Sequence, residues 1–467
     1  MIAGLRPIRQ RLTAPAARVI ACLTACALAL GDVPARAAGG PPIIRDAEIE
    51  QLLRDYTQPI LRTAGLLKQN INVVIINDRA FNAFVMDGRR IFINAGALME
   101  AQNPNQVIGV LAHETGHISG GHLSKMREEM ANAQTIALVA MLLGMGAMAA
   151  GAAGGVKGAG DIGMAALTAP QGVMLRSLLG YIRAQEEQAD RAAVKFLTAT
   201  GQSAKGMSDT FKRLYDQTVF QSQRIDPYLQ SHPMPAERIA ALTEIAKTNP
   251  YWDKKDPPEL QQRHDMMRAK LYGFIDQPDT LYRRYPISDT SMPARYARAI
   301  ATYRHRDLRS ALPQIDALIQ AQPSNPYFHE LKGQALLESG RPAEALTPLR
   351  YAAAHAPTPT LIQVMLSQAL IATNDPKNAD EAIHHLQVAI GRDTEITDAY
   401  SQLAMAYGRK GDFAQADLAS AQAAFTRGDY PTARQLATRA KGRFAIGTPG
   451  WVKADDIASY KPPKPRK

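Results

Sequence analysis

From Asp46 the chain reads DAEIEQLLRDYTQPILRTAGL. Apolar residues recur at helical spacing with Gly65 behind them as a stop, which predicts an amphipathic helix. Two β-branched runs follow, INVVIIN and FNAFVM, then Asp87-Gly88, a strong hairpin-turn signal, then RRIFINAGAL. Together these predict a small sheet. Asn103-Pro104 next supplies a capping side chain followed by proline at the first helical position. A helix is therefore expected from about Pro104 through the run VIGVLAHETGHISGGH.

Beyond that helix the pattern loses its amphipathic character. IALVAMLLGMGAMAAGAAGG from Ile136 and IGMAALTAPQGVMLRSLLGYI from Ile162 are rich in Ala, Gly and Met. A membrane span is one reading, but Ala and Gly add little transfer free energy, and Gln171 and Arg176 interrupt the second run. Repeated glycine also weakens long helices. The preferred reading is a Met-rich helical flap over residues 131–182 that shields a site or makes peripheral contact with a membrane surface.

From Ser291 onward a period of 34 takes over. Ala311 and Ala345, Ile315 and Leu349, and Pro323 and Pro357 are each one period apart, the tetratricopeptide spacing. Gly333, Leu336, Gly340, Ala345, Leu349, Ala352 and Pro357 fit one whole unit, with small residues where paired helices cross and proline where the second helix stops. Further units begin around AIHHLQVAI and LAMAYGRKGDFAQA, and RGDYPTARQLATRA reads as a compressed closing unit. An ordinary helical bundle predicts no fixed period, so an α-solenoid over 291–441 is expected. With 467 residues there is room for a separate domain over 38–265, a linker at 266–290 and a basic tail at 442–467.

The first residues read as a secretory leader: a basic start with Arg6, Arg9, Arg11 and Arg18, a short apolar core, and Ala35-Arg36-Ala37 before a cut. The apolar core runs about a dozen residues, short of the ~20 that span a bilayer. A signal peptide over 1–37 is expected, and with it export to the periplasm. Both cysteines, Cys22 and Cys26, fall inside it, so the mature chain would have no thiol, which excludes disulfides and cysteine metal sites. A lipid anchor at Cys26, suggested by LTAC, is the lesser alternative, because the apolar core continues through Ala27 to Leu30. The formal charge of +11 includes five arginines and one aspartate of the leader and four cations of the tail KPPKPRK. No helix face gathers Lys and Arg into a stripe, which argues against nucleic acid as a partner.

The chemistry concentrates in the predicted Pro104 helix. His113 and His117 are four apart, so both imidazoles leave one face a turn apart and can bind one ion. Glu114 sits beside the first, placed to serve as general base toward water that zinc activates. A catalytic zinc takes three protein ligands and keeps one position open. Two residues compete for the third place. His122 would suit a metzincin pattern, but Leu123 holds the position in register and His122 is one residue early. Glu186 in RAQEEQADRAAVKFL fits better. With Asp190 four residues on it shares a helix face, so one carboxylate can bind metal while the other orients a ligand histidine. Glu187 is adjacent but points elsewhere; an exposed acidic helix start is the alternative for this run.

These motifs, with NAFVMDGRRIFINAGAL before them and SHPMPAERI after, resemble the secreted gluzincin metallopeptidases related to bacterial HtpX and the eukaryotic CaaX-processing protease, and most closely the periplasmic BepA-like proteins with C-terminal tetratricopeptide repeats. The resemblance covers nearly the whole mature chain. It implies a mainly α fold with a small β-sheet, a gluzincin metallopeptidase domain followed by an α-solenoid. It also implies one Zn2+ on His113, His117 and Glu186, with Glu114 as base and Asp190 as support. Implied too are a role in outer-membrane protein assembly, unfolded or misassembled outer-membrane proteins as substrates, and the assembly machinery as a partner through the repeats. His232 matches a family position near the metal. On a loop stiffened by Pro233 and ahead of a helix led by Pro235, it would stabilise an oxyanion or occupy zinc's open position and hold the enzyme off. The alternative for His232 is a solvent-exposed residue leading a helix. Arg238 is a supporting contact without an assigned role. Some relatives carry cysteines that could tie the repeats to the protease; this mature chain has none, so noncovalent docking is expected.

Zinc would polarise the scissile carbonyl, and the strand near Phe92 is expected to pair with an extended substrate. The rival class is an assembly chaperone or adaptor whose zinc is structural or latched.

Overall fold

The computed structural model describes residues 42–131, 180–220, 228, 231–356, 358 and 360–462. The expected leader with Cys22 and Cys26, and most of the expected flap, lie outside the described residues. Among those described, no helix is long and apolar enough to cross a membrane.

A two-residue strand β1 (Ile43–Ile44) leads into α1 (Ala47–Thr63), whose N-terminus is capped by Asp46 accepting from the Ile49 N–H. Gly65 follows the helix at φ 73°, a left-handed position that favours glycine. Strands β2 (Asn72–Ile76), β3 (Ala83–Val85) and β4 (Arg90–Asn94) complete a sheet of order β1-β2-β4-β3. Asp87-Gly88 makes the β3–β4 turn: Gly88 sits at φ 75°, and Asp87 Oδ1 accepts the N–H groups of Arg89 and Arg90. β2 and β4 run parallel, from Asn72 beside Arg90 to Ile76 beside Asn94. Phe92 therefore stands on an interior strand, flanked by β2 and β3. That corrects the expectation that its strand pairs with substrate, because both its backbone edges are taken. The edge strand on that side is β3.

The helices that build the site are α2 (Ala95–Glu100), α3 (Pro104–Ser119), α4 (122–131), α5 (180–199), α6 (Lys205–Phe220) and α7 (Ala236–Lys247). α3 starts at Pro104 because Asn103 caps it, its side chain accepting from the Gln106 N–H; such a cap is worth about 1 kcal/mol. Val107, Val110 and Leu111 of α3 join Leu52 and Tyr56 of α1, Ile91 and Ile93 of β4, Leu197 of α5 and Phe211 of α6 in one core. Two glycines let α3 lie against its neighbours. A Cβ on Gly109 would stand 2.6 Å from Met207 Cβ, and one on Gly116 would stand 2.8 Å from the Ala189 carbonyl oxygen.

Residues 266–290, read from the sequence as a linker, are instead largely helical. α8 (Pro258–Ile275) and α9 (Pro278–Arg284) bury Met267, Leu271 and Leu281, so a segment of mixed polarity is held by packing that its own pattern does not announce. Helix pairs then run from Met292–His305 to Tyr430–Lys441. At one crossing Gly333 leaves room for Leu349, whose Cγ would be 2.4 Å from an added Cβ. The expected basic tail contains a further helix, Pro449–Ser459, docked through Ala454 on Leu418 and Ala440.

The repeats are fastened to α1 and α8 by buried charge. Lys270 Nζ lies 2.8 Å from Asp46, 3.2 Å from Glu48 and 3.6 Å from Glu330, and Tyr296 donates its hydroxyl to Glu48 at 2.9 Å.

Candidate metal centre

α3 presents His113 and His117 one turn apart, and α5 presents Glu186 and Asp190 in the same way. Packing at Gly116 brings the two faces together. His113 Nε2 lies 3.1 Å from His117 Nε2 and 3.4 Å from Glu186 Oε2, while His117 Nε2 lies 3.3 Å from Glu186 Oε1. With ligand bonds of about 2.0–2.2 Å, donors around a tetrahedral zinc sit about 3.3–3.5 Å apart, so the spacing of this trio fits that ion. Behind the trio, Asp190 Oδ1 is 2.9 Å from His113 Nδ1, which leaves Nε2 facing the other donors.

His232, in the turn before α7, is buried, contrary to the exposed alternative. Its Nδ1 lies 3.0 and 3.1 Å from the two Glu186 oxygens and 3.4 Å from His113 Nε2. Donor atoms of His113, His117, Glu186 and His232 all fall within 4.8 Å of one another. On its other side, His232 Nε2 is 3.5 Å from Glu114 Oε1. Tyr228 stacks on the ring at 4.6 Å between centroids.

Glu114 is fully buried, and neither of its oxygens has a hydrogen-bond partner among the described residues. Burial pushes its carboxyl above the usual range. It borders a cleft of about 390 Å³ lined by Phe84 and Val85 of β3, Ile118 and Ile182, and by His117 and His232.

Arg238 is the residue that sequence reading left without a role. Its Nε and Nη2 reach the two Asp190 oxygens at 2.8 and 2.9 Å, Nη1 reaches Glu186 Oε2 at 2.7 Å, and Nη1 also donates to the Pro233 carbonyl at 3.0 Å. One guanidinium thus holds the Glu186 and Asp190 carboxylates of α5 and the loop bearing His232. The only local hint was an arginine in the first turns of the proline-led helix that follows His232. Phe211 of α6 packs edge-on to His113 at 5.3 Å and beneath Arg238 at 5.8 Å.

His122 stands outside the donor group. Its Nδ1 is 3.0 Å from His117 Nδ1, on the far side of that ring from Nε2. Glu187 is exposed and pairs with Arg191 at 2.6 Å.

The titration of these groups reflects burial set against their charges on one another. Burial works against it, yet Asp190 and Glu186 raise His113 to about 9. Burial, reinforced by the charge on His113, holds His117 well below its ordinary value. Burial opposes ionisation of Glu186 too, but His232 and His113 keep it well below the usual carboxylate range. A proton on His113 sits where a divalent cation among the same donors would displace it.

Residues 45–246 match the sequence profile described as peptidase family M48. These residues form an M48 metallopeptidase domain. M48 metallopeptidases are zinc-dependent, and the donor set of this M48 domain suits that metal. Tetratricopeptide profiles match residues 296–359 and 414–439 behind it. A beta-barrel assembly-enhancing protease of Yersinia pestis is 21% identical over 429 residues, 90% of this chain and 85% of its own length. That of Escherichia coli strain K12 is 23% identical over 354 residues, 73% of this chain and 69% of its own. A Vibrio cholerae relative with the same type of name is 27% identical over 295 residues, 62% of this chain and 58% of its own length. The match to this last protein spans less than two thirds of it.

Proposed function

We propose that this chain is a periplasmic zinc-dependent endopeptidase that acts in outer-membrane protein assembly and clears misassembled or unfolded proteins. In this reading the repeats bind a client or an assembly partner. The observation that carries the chemistry is the meeting of His113, His117 and Glu186 beside a buried Glu114 at the edge of a cleft, its oxygens without a hydrogen-bond partner among the described residues. Relatives named as beta-barrel assembly-enhancing proteases support the cellular setting.

His113, His117 and Glu186 would hold the metal, which when bound acts as a Lewis acid on the scissile carbonyl and lowers the pKa of water. Glu114 takes the proton of the attacking water on one carboxylate oxygen and passes it to the leaving amine. Asp190 fixes the His113 ring, and Arg238 fixes Asp190. The edge strand β3 borders the cleft, so an extended peptide added to it would be held by its backbone.

A second reading, favoured by the position of His232 between Glu186 and Glu114, is a resting state latched by that imidazole, or an assembly chaperone whose zinc is not exposed to substrate. Bound zinc and cleavage of an unfolded polypeptide, measured together on wild type and Glu114→Gln, separate these readings. We expect Glu114→Gln to keep zinc and to lose about 10²–10⁴-fold in cleavage rate. Zinc without cleavage in the wild type favours the chaperone, and unchanged cleavage in the variant removes Glu114 from the base role.

A further inference from the structure

We infer that His122 is a positioning residue for His117, presenting an acceptor nitrogen that fixes which nitrogen of the His117 ring is offered to the metal. The inference rests on the metal-centre reading above. His117 Nε2 lies among the donors, at 3.1 Å from His113 Nε2 and 3.3 Å from Glu186 Oε1. A neutral imidazole that gives Nε2 to a metal carries its hydrogen on Nδ1, and that hydrogen needs an acceptor in a buried site. For His113 the acceptor is Asp190. For His117 it is Nδ1 of His122, at 3.0 Å with the rings at 83°.

The chain between the two histidines is shaped for this contact. Gly121 adopts φ 64°, turning the backbone sharply after α3 so that His122 folds back over it. A Cβ on Gly120 would stand 2.3 Å from His122 Nε2, so the absence of a side chain there is what seats the ring. Gln185, the neighbour of Glu186 on α5, donates to the His122 carbonyl at 3.3 Å and ties this turn to the helix that carries the third ligand. The misfit of one residue that set His122 off the metzincin register is thus the spacing of a ring that stands behind a ligand.

The acceptor at His122 matters to metal binding because partners of this kind commonly contribute 10- to 100-fold in affinity. The experiment measures zinc affinity of the mature protein by competition with a chromophoric chelator, with cleavage at saturating zinc as a second readout. His122→Phe keeps a flat ring but offers no acceptor, and its zinc affinity is expected to fall about 10- to 100-fold. His122→Asn places an oxygen where Nδ1 stood and should recover most of the affinity. Gly120→Ala, which displaces the ring without altering it, should weaken zinc in the same direction as His122→Phe. Thermal unfolding in chelator checks that the metal-free variants are folded; should His122→Phe not fold, the Gly120→Ala and His122→Asn comparison reads the same quantity. Wild-type affinity in His122→Phe, or equal losses in Phe and Asn, overturns the assignment. A wild type that binds no zinc overturns the metal centre instead, a result distinct from either.

Discussion

Arg238 closes two N–H groups on Asp190, Nε to Oδ2 at 2.8 Å and Nη2 to Oδ1 at 2.9 Å, and Asp190 faces His113 Nδ1 at 2.9 Å. The pair is almost wholly buried. Removing the cation leaves two buried carboxylates with a protonated His113 as their main offset, and breaking a buried pair in this way costs about 3–5 kcal/mol. Arg238→Ala is therefore expected to lower the denaturation midpoint of the metal-free protein sharply. Arg238→Lys should fall between, since it keeps the charge but loses the fork. An unaltered midpoint in the alanine variant would show that the contact adds nothing to the fold.

His232 touches both the ligand carboxylate and the candidate base. If it is a latch, His232→Ala raises the rate of cleavage of an unfolded polypeptide at saturating zinc. If it supports the transition state, the same variant lowers that rate while zinc affinity changes little. Steady-state cleavage assays with zinc titration distinguish the two, and the contacts to Glu186 and Glu114 favour the rise.

Gly116 lies within the HETGH run, where α3 packs against Ala189 of α5. An added methyl would meet the Ala189 carbonyl oxygen at 2.8 Å and its Cα at 3.0 Å. Gly116→Ala should destabilise the fold by about 1–3 kcal/mol through overpacking and move Glu186 away from the two imidazoles. Weaker zinc binding together with a lower melting temperature is the expected result. A fully stable variant with unchanged zinc affinity would mean that the helices separate without cost.

His264 provides a pH test away from the metal. Its Nε2–H donates to the Ala101 carbonyl at 2.9 Å, so its Nδ1 accepts from the Tyr56 hydroxyl at 3.1 Å, and the ring is held neutral in the core. Burial lowers its pKa from 6.5 to about 4. The unfolded chain thus binds a proton over that interval and the folded one does not. The contribution is complete above pH 6.5 and is lost as pH falls toward 4, at about 1.4 kcal/mol per pH unit. Denaturation of wild type and His264→Gln across this range should show the steeper acid loss in the wild type; parallel curves would contradict it.

What could be read from the sequence is local. Asn103, Pro104 and the spacing of His113 and His117 define a helix and one of its faces within a few turns, so their geometry follows from helix periodicity alone. Glu186 and Asp190 were legible for the same reason. Their meeting with α3 needed a resemblance, because nothing along the chain says which helices touch. Arg238 was missed as an anchor because its two carboxylates lie 48 residues or more away in sequence and no periodic pattern marks a single guanidinium. The parallel β2–β4 pairing was hidden likewise: Asp87-Gly88 announces the hairpin that places β3 beside β4, but the insertion of β4 between β2 and β3 is set by tertiary packing. The turn at Gly120-Gly121 carries its own signal, two glycines between histidines, and it marks a ring folded back on the helix rather than a third ligand.

Lys270 binds acids from α1 and from the first repeats in one buried knot, and Tyr296 adds a hydroxyl to it. Pulling the two halves of the molecule apart would break the Lys270–Glu330 pair and the Tyr296–Glu48 hydrogen bond together. The solenoid is consequently no swinging arm on a tether. It is a rigid wall whose distance from the cleft is built in, and a polypeptide gripped there would present to the catalytic groups only the segment that this span allows.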